Sequence, residues 1–185
     1  LHRLTGSGVP VYFLHGNRDF LIGQRFAAAS GVRLLQEHQV IDLYGESVLV
    51  LHGDSLCTDD LDYQTFRAKV RDPAWQAQLL ALPLTQRRAL AGRLRETSRP
   101  ATQQKAADIT DVNPAAVERA LREHGVRRMI HGHTHRPAVH DWTLDGLPAR
   151  RVVLGDWHGH ESLVLRCEAD DWRLESLLQA STQKR

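Results

Sequence analysis

Short apolar runs broken by turn residues organise the first half of the chain. Val9 to His15 is an apolar run ending at Gly16 and predicts a buried strand. Phe20 to Ser30 predicts a helix that Gly31 stops. Val40–Leu43 and Ser47–His52 predict a hairpin around Tyr44-Gly45-Glu46, closed by Gly53. Leu61 to Glu96 has helical character interrupted at Pro73 and Pro83, because proline removes a backbone donor. Thr97 to Thr110 is polar and mixed and reads as a loop. A helix then starts with Asn113 as N-cap and Pro114 in the first turn, carries Val117, Ala120, Leu121 and His124 on one face, and ends at Gly125. Val126–Ile130 predicts a strand. The tail predicts strands near Val139–Leu144, Arg150–Leu154, Ser162–Cys167 and Trp172–Leu177, with Asp145-Gly146 as a hairpin turn. One motif recurs three times: an apolar strand, then a turn that sets His or Asn beside Gly. Strand ends are where α/β folds bind ligands.

Composition adds limits. A chain of 185 residues with 42% hydrophobic and 25% charged residues is expected to fold as one globular domain. A net charge of +2 gives no reason to expect a nucleic-acid partner. The two cysteines, Cys57 and Cys167, make no disulfide framework, which points to a reducing cytosol. No apolar run reaches the length of a membrane span, and the opening residues do not read as a signal peptide. Because the chain does not begin with Met, it reads as starting partway through a longer protein. Eleven histidines are many for this length, and seven of them adjoin glycine, so their placement needs a chemical reason.

Three constellations supply one. In His15-Gly16-Asn17-Arg18-Asp19, Gly16 allows a tight turn, Asn17 offers an amide oxygen, and Arg18 carries a planar fork suited to phosphate. Alone, the run could equally be a capped turn with a surface arginine. His52-Gly53-Asp54 is weaker alone, since a strand-ending histidine is more often structural. In His131-Gly132-His133-Thr134-His135, alternating imidazoles on a turn can face one centre and suit Mn, Fe or Zn. The bland alternative is a solvated histidine loop. Taken together, one asparagine and three histidines at strand ends suit a pair of metals bridged by water. Such a pair lowers the pKa of water and clamps attacking and leaving oxygens.

These residues resemble the calcineurin-like metallophosphoesterases: Gly-Asn-Arg-Asp, a strand-ending His, then Gly-His-Thr-His. Tyr12 to Leu21, His52 to Asp60, Phe66 to Val70 and Ile130 to His140 are similar to a narrower group, the UDP-2,3-diacylglucosamine pyrophosphohydrolases of lipid A synthesis. The resemblance implies an αββα sandwich with a helical lid insertion at 59–110 within a single domain, 1–185. It implies hydrolysis at the α-phosphorus of a UDP-linked diacylglucosamine lipid, giving UMP and 2,3-diacylglucosamine 1-phosphate, with two Mn²⁺ ions. Asn17, His52 and His133 match ligands of one metal and His135 a ligand of the other. Arg18 and His133 match catalytic positions. Asn17, Arg18, Asp60, Ser98, Thr102, Lys105 and His133 fall where that group contacts substrate, although relatives often carry Asn where this chain has Thr102. The group also opens with Asp-x-His and Gly-Asp strands, and neither motif occurs before His15. The expectation is therefore a domain lacking its first strands and inactive by itself.

Leu61 to Glu96 stands between the site segments. Its Trp75, Leu79, Leu80, Leu82, Leu84, Leu90 and Leu94 are either an ordinary apolar face or a seat for acyl chains. Arg87, Arg88, Arg93, Arg95 and Arg99 add a basic flank suited to anionic headgroups. The resemblance implies peripheral attachment to the cytoplasmic face of the bacterial inner membrane. Two other readings stay open: a calcineurin-like phosphodiesterase acting on a soluble nucleotide, and a non-catalytic metal-binding fragment.

Overall fold

Period-two alternation in three strands decides the architecture, because each strand has an apolar partner on both faces. The computed structural model describes residues 1–103, 111–158 and 161–177. In chain order the elements are α1 (His2–Gly6), β1 (Tyr12–Phe13), α2 (Gln24–Ser30), β2 (Arg33–Leu34), β3 (His38–Leu43) and β4 (Glu46–Leu51). A 3₁₀ turn at Asp54–Leu56 leads to α3 (Leu61–Arg71), α4 (Pro73–Ala81) and α5 (Leu84–Gln103). Then follow α6 (Pro114–Glu123), β5 (Arg128–His131), β6 (Ala138–Leu144), β7 (Leu147–Val153), β8 (Trp157–His158), β9 (Glu161–Cys167) and β10 (Trp172–Ser176).

The central sheet is mixed, in the order β3-β4-β5-β7-β6. Leu49, Leu51, Met129 and Ala149 face Ala116, Val117, Ala120 and Leu121 of α6. The alternate residues Val48, Ile130 and Val152 pack with Leu165, Cys167, Trp172 and Leu174 from β9 and β10. One face of the sheet is thus covered by a helix and the other by a second sheet. β4, β5 and β7 run parallel, with Leu51 opposite His131 and His131 opposite Val153. Their C-terminal ends therefore share one sheet edge, and the His52 and His131 turns leave from it side by side. β1 pairs with β2 in a separate parallel ribbon.

Local signals explain much of this. The Asn113 Oδ1 accepts from Ala116 N at 3.2 Å and Pro114 opens α6. Tyr44-Gly45 and Asp145-Gly146 turn with positive φ at both residues (57° and 86°, 51° and 77°), the geometry that two-residue hairpins require. Three expectations change. The strand read over Val9–His15 shrinks to two residues at a ribbon edge, where Pro10 has no N–H and Tyr12 is half exposed. The first long helix starts at Gln24 rather than Phe20, with Gly23 as its N-cap. Half of the polar stretch read as a loop, Thr97 to Gln103, continues α5, since extending a formed helix needs no new nucleus. Neither cysteine forms a disulfide, and Cys57 is buried.

Candidate metal centre

Hydrogen bonds and close packing draw the three histidine turns together. Gly132 N donates to His52 O at 2.9 Å, joining the second turn to the third. Gly16 packs on the His52 ring so tightly that a Cβ there would sit 3.1 Å from Cε1, joining the first turn to the second. Asp19 holds the first turn by accepting from Gly16 N at 2.5 Å. His15 is turned inward, its Nε2 2.6 Å from Ile22 O, and serves the loop. Gly53, at φ 108°, meets the His131 ring where any side chain would collide.

His52 Nε2 and His133 Nδ1 lie 3.2 Å apart, with ring centroids 5.0 Å apart. Burial pushes the pKa of both down, for His133 to about 4, with the neighbouring His52 as the next cause. Both rings are thus neutral near pH 7, the form that donates lone pairs to a metal. A separation of 3.2 Å suits two nitrogens on adjacent positions of one ion with bonds of ~2.1 Å. These residues fit a divalent ion, and Asn17 beside them offers a third donor. His133 and His135 hold φ of 71° and 56°, in the left-handed region that non-glycine residues rarely adopt. His131 has another job. Its Nδ1 donates to Gly132 O at 2.9 Å, leaving Nε2 to accept from Arg151 at 3.4 Å, and burial lowers its pKa to about 4.

His135 Nδ1 instead lies 3.2 Å from Asp156 Oδ2. Among the described residues no three His, Cys, Asp or Glu side chains converge on one point. The local donor set is two imidazoles and an amide, with His135 paired to Asp156 and near enough to His52 and His133 to act on their charge. Arg18 is exposed and free to swing over a phosphate. Asp60 is buried and caps α3, accepting from Tyr63 N at 3.0 Å. The side chains of Ser98 and Thr102, and Lys105 altogether, lie outside the described residues, as do those of Arg95 and Arg99.

Sequence reasoning missed the support beneath the site. The Asp54 carboxylate, 2% exposed, accepts from Tyr63 Oη at 3.1 Å and Arg67 Nε at 3.2 Å, with Arg71 3.7 Å away. Arg71 also donates to the carbonyls of His15 and Gly16, each at 3.2 Å. α3 thereby clamps the first turn to the second. Arg67 further pairs with Glu37. Asp156 was missed too, although Leu154-Gly155-Asp156 repeats the same strand-then-turn pattern after β7.

The chain belongs to the calcineurin-like phosphoesterase family, whose model matches residues 1–137. Divalent metal use comes with that family. The chain is 56% identical over 170 residues to UDP-2,3-diacylglucosamine hydrolase of Chromohalobacter salexigens, covering 92% of this chain and 69% of that protein. It is 55% identical over 164 residues to the enzyme of that name from Serratia proteamaculans, covering 89% and 68%. To that of Salmonella arizonae it is 54% identical over 171 residues, covering 92% and 71%. Within the family, the chain falls among the UDP-2,3-diacylglucosamine hydrolases.

Proposed function

We propose that this site hydrolyses UDP-2,3-diacylglucosamine in lipid A synthesis. Water attacks the α-phosphorus, the bond to the bridging oxygen breaks, and UMP and 2,3-diacylglucosamine 1-phosphate leave. The observation that carries the reading is the neutral imidazole pair, His52 and His133, facing each other at 3.2 Å beside the Asn17-Arg18 turn. The names of the relatives supply the substrate. Asn17, His52 and His133 would hold one Mn²⁺ and His135 would contribute to a second. Bound metal would supply an activated water and stabilise charge on the phosphate oxygens. Arg18 neutralises the phosphate with its guanidinium fork, and Asp60, Ser98, Thr102, Lys105 and His133 are the remaining substrate contacts.

The helices between the site segments act in this reading as a lid over 59–110. Support comes from the ring contact of Trp75 with Phe20, 6.1 Å between centroids, which ties α4 to the segment just after Asp19. Leu80 on α4, Leu82 just after it and Leu84 at the start of α5 are exposed and are the proposed seat for acyl chains. No helix among the described residues is long and apolar enough to cross a membrane. The proposed attachment is peripheral, to the cytoplasmic face of the inner membrane, through Arg87, Arg88 and Arg93. Flotation with anionic vesicles should carry the chain upward, and Arg87→Glu with Arg88→Glu should release it. Equal flotation with neutral vesicles would sink that part.

Among the described residues the four proposed donors, Asn17, His52, His133 and His135, fall short of two complete shells, so binding reads the site more directly than turnover. With Mn²⁺ present, the chain should bind UDP-2,3-diacylglucosamine in preference to UDP-N-acetylglucosamine, and His133→Ala should weaken the metal dependence. Equal binding of the unacylated sugar nucleotide would favour a phosphodiesterase for soluble nucleotides. Binding of metal but of neither ligand would favour a non-catalytic fragment.

A further inference from the structure

Taking a guanidinium out of water costs free energy unless an anion meets it, so a half-buried arginine with no acid of its own needs a reason. Arg151 on β7 is one. By strand alternation it shares the α6 side of the sheet with Ala149 and Val153. Across the β6–β7 pairing, His140 lies opposite Arg151 and Ala138 opposite Val153. With Thr134, Arg136 and Asp111 these residues line a cavity of about 240 Å³. Asp111 is the acid among them, and it is already committed. Its Oδ2 accepts from Arg136 Nη1 and its Oδ1 from Val112 N, each at 2.7 Å. The Arg151 guanidinium has one long hydrogen bond among the described residues, to His131 Nε2 at 3.4 Å. Burial, and then the charge of Arg151, lower the pKa of His140, which is neutral near pH 7. The lining therefore carries one positive charge that no lining acid offsets.

Size and place narrow what would fill it. The volume is below the roughly 300–1,000 Å³ of pockets that hold a whole small ligand, so the cavity takes part of one. Thr134 stands between His133 and His135 in the metal turn, and no lining residue comes from α3, α4 or α5. The cavity thus reaches the metal centre from outside the lid, away from the seat proposed for acyl chains.

We propose that this cavity is an anion subsite for a nucleoside monophosphate, with Arg151 as the cation that binds its phosphate. The proposal rests on the hydrolysis proposed above. Breaking the bond to the bridging oxygen leaves UMP as a phosphate monoester, with a charge of about −1.5 to −2 at pH 7, against about −1 on the same phosphorus in the substrate. An arginine that lacks a carboxylate favours the more highly charged product. The cavity therefore draws UMP off the metal centre. The other product carries the same phosphate chemistry, but its acyl chains keep it at the lid.

Calorimetry on the 185-residue chain, held metal-free with a chelator, tests this apart from the metal centre. UMP should bind more tightly than glucosamine 1-phosphate or inorganic phosphate, and about 10-fold or more tightly than uridine. Arg151→Gln should weaken UMP about 10-fold or more and leave uridine unchanged. UMP affinity untouched by Arg151→Gln overturns the proposal. So does uridine that binds as well as UMP, because the phosphate would then contribute nothing. Equal binding of UMP and glucosamine 1-phosphate overturns the assignment to a nucleotide. If the glutamine chain fails to fold, NMR of the parent decides: UMP should shift the methyl signals of Thr134, Ala138 and Val153, and unmoved signals overturn the site. A chain that passes these tests yet fails to bind UDP-2,3-diacylglucosamine with Mn²⁺ present would keep the nucleotide subsite and bring down the hydrolase reading instead.

Discussion

Gly53→Ala should unfold the chain at a markedly lower temperature and weaken its metal site at once. Gly53 sits at φ 108°, where an L side chain is strained whatever the space. The new Cβ would lie 2.7 Å from His131 Nδ1 and 3.0 Å from Gly132 O, and the second contact is backbone that cannot swing aside. Strain of about 1–3 kcal/mol adds to overpacking of a similar size. For a domain of this length the melting temperature should fall by roughly 5–15 °C. The readout that separates this site from generic damage is metal affinity. Relief of the clash must push the Gly132 backbone from His52 O, now 2.9 Å from Gly132 N, and so part the two turns that hold His52 and His133. Thermal unfolding and Mn²⁺ titration of the same sample check both. A melting temperature within 2 °C of the parent, or roughly 1 kcal/mol, would show that the turn relaxes freely.

Asp54→Ala should destabilise by about 1–3 kcal/mol, because Arg67 and Arg71 lose their shared carboxylate while Arg67 keeps Glu37 and Arg71 keeps the His15 and Gly16 carbonyls. Arg67 and Arg71 are only 16% and 17% exposed at the side chain, so water cannot fully replace the lost partner. Asp54→Asn retains an acceptor oxygen and should cost less. The network is not a pure gain in stability, since Asp54 Oδ1 is buried with no hydrogen-bond partner. Urea denaturation of the three chains gives the order parent, Asn, Ala. An alanine chain as stable as the parent would mean that the arginines find other partners.

Much of the architecture could be read from local chemistry. Asn113-Pro114 marks a helix start because the cap and the fixed φ of proline act within four residues. Tyr44-Gly45 and Asp145-Gly146 mark hairpins because their positive φ is a property of the turn itself. The three site turns were legible for the same reason: glycine beside histidine at a strand end is a local signal. What escaped was tertiary. Tyr63 lies nine positions beyond Asp54, and nothing in the spacing reveals that its hydroxyl meets that carboxylate. Arg71 reads as one more surface cation on a helix, yet it is fastened to the His15 and Gly16 carbonyls. Asp156 went unread because its partner His135 comes from a different turn. The short β1 and the late start of α2 show the converse. Apolar content predicts a strand or helix, but pairing partners and backbone donors decide how much of it forms.

The central claim is that one metal sits between His52 and His133 and receives the phosphate of a UDP-linked lipid. Pulsed electron–nuclear double resonance on the Mn²⁺-loaded chain tests it without requiring turnover. The account predicts nitrogen couplings from two imidazoles, one of them lost in His52→Ala and one in His133→Ala, and a phosphorus coupling that appears when UDP-2,3-diacylglucosamine is added. Bound Mn²⁺ with no imidazole coupling, or with couplings untouched by both substitutions, would contradict it.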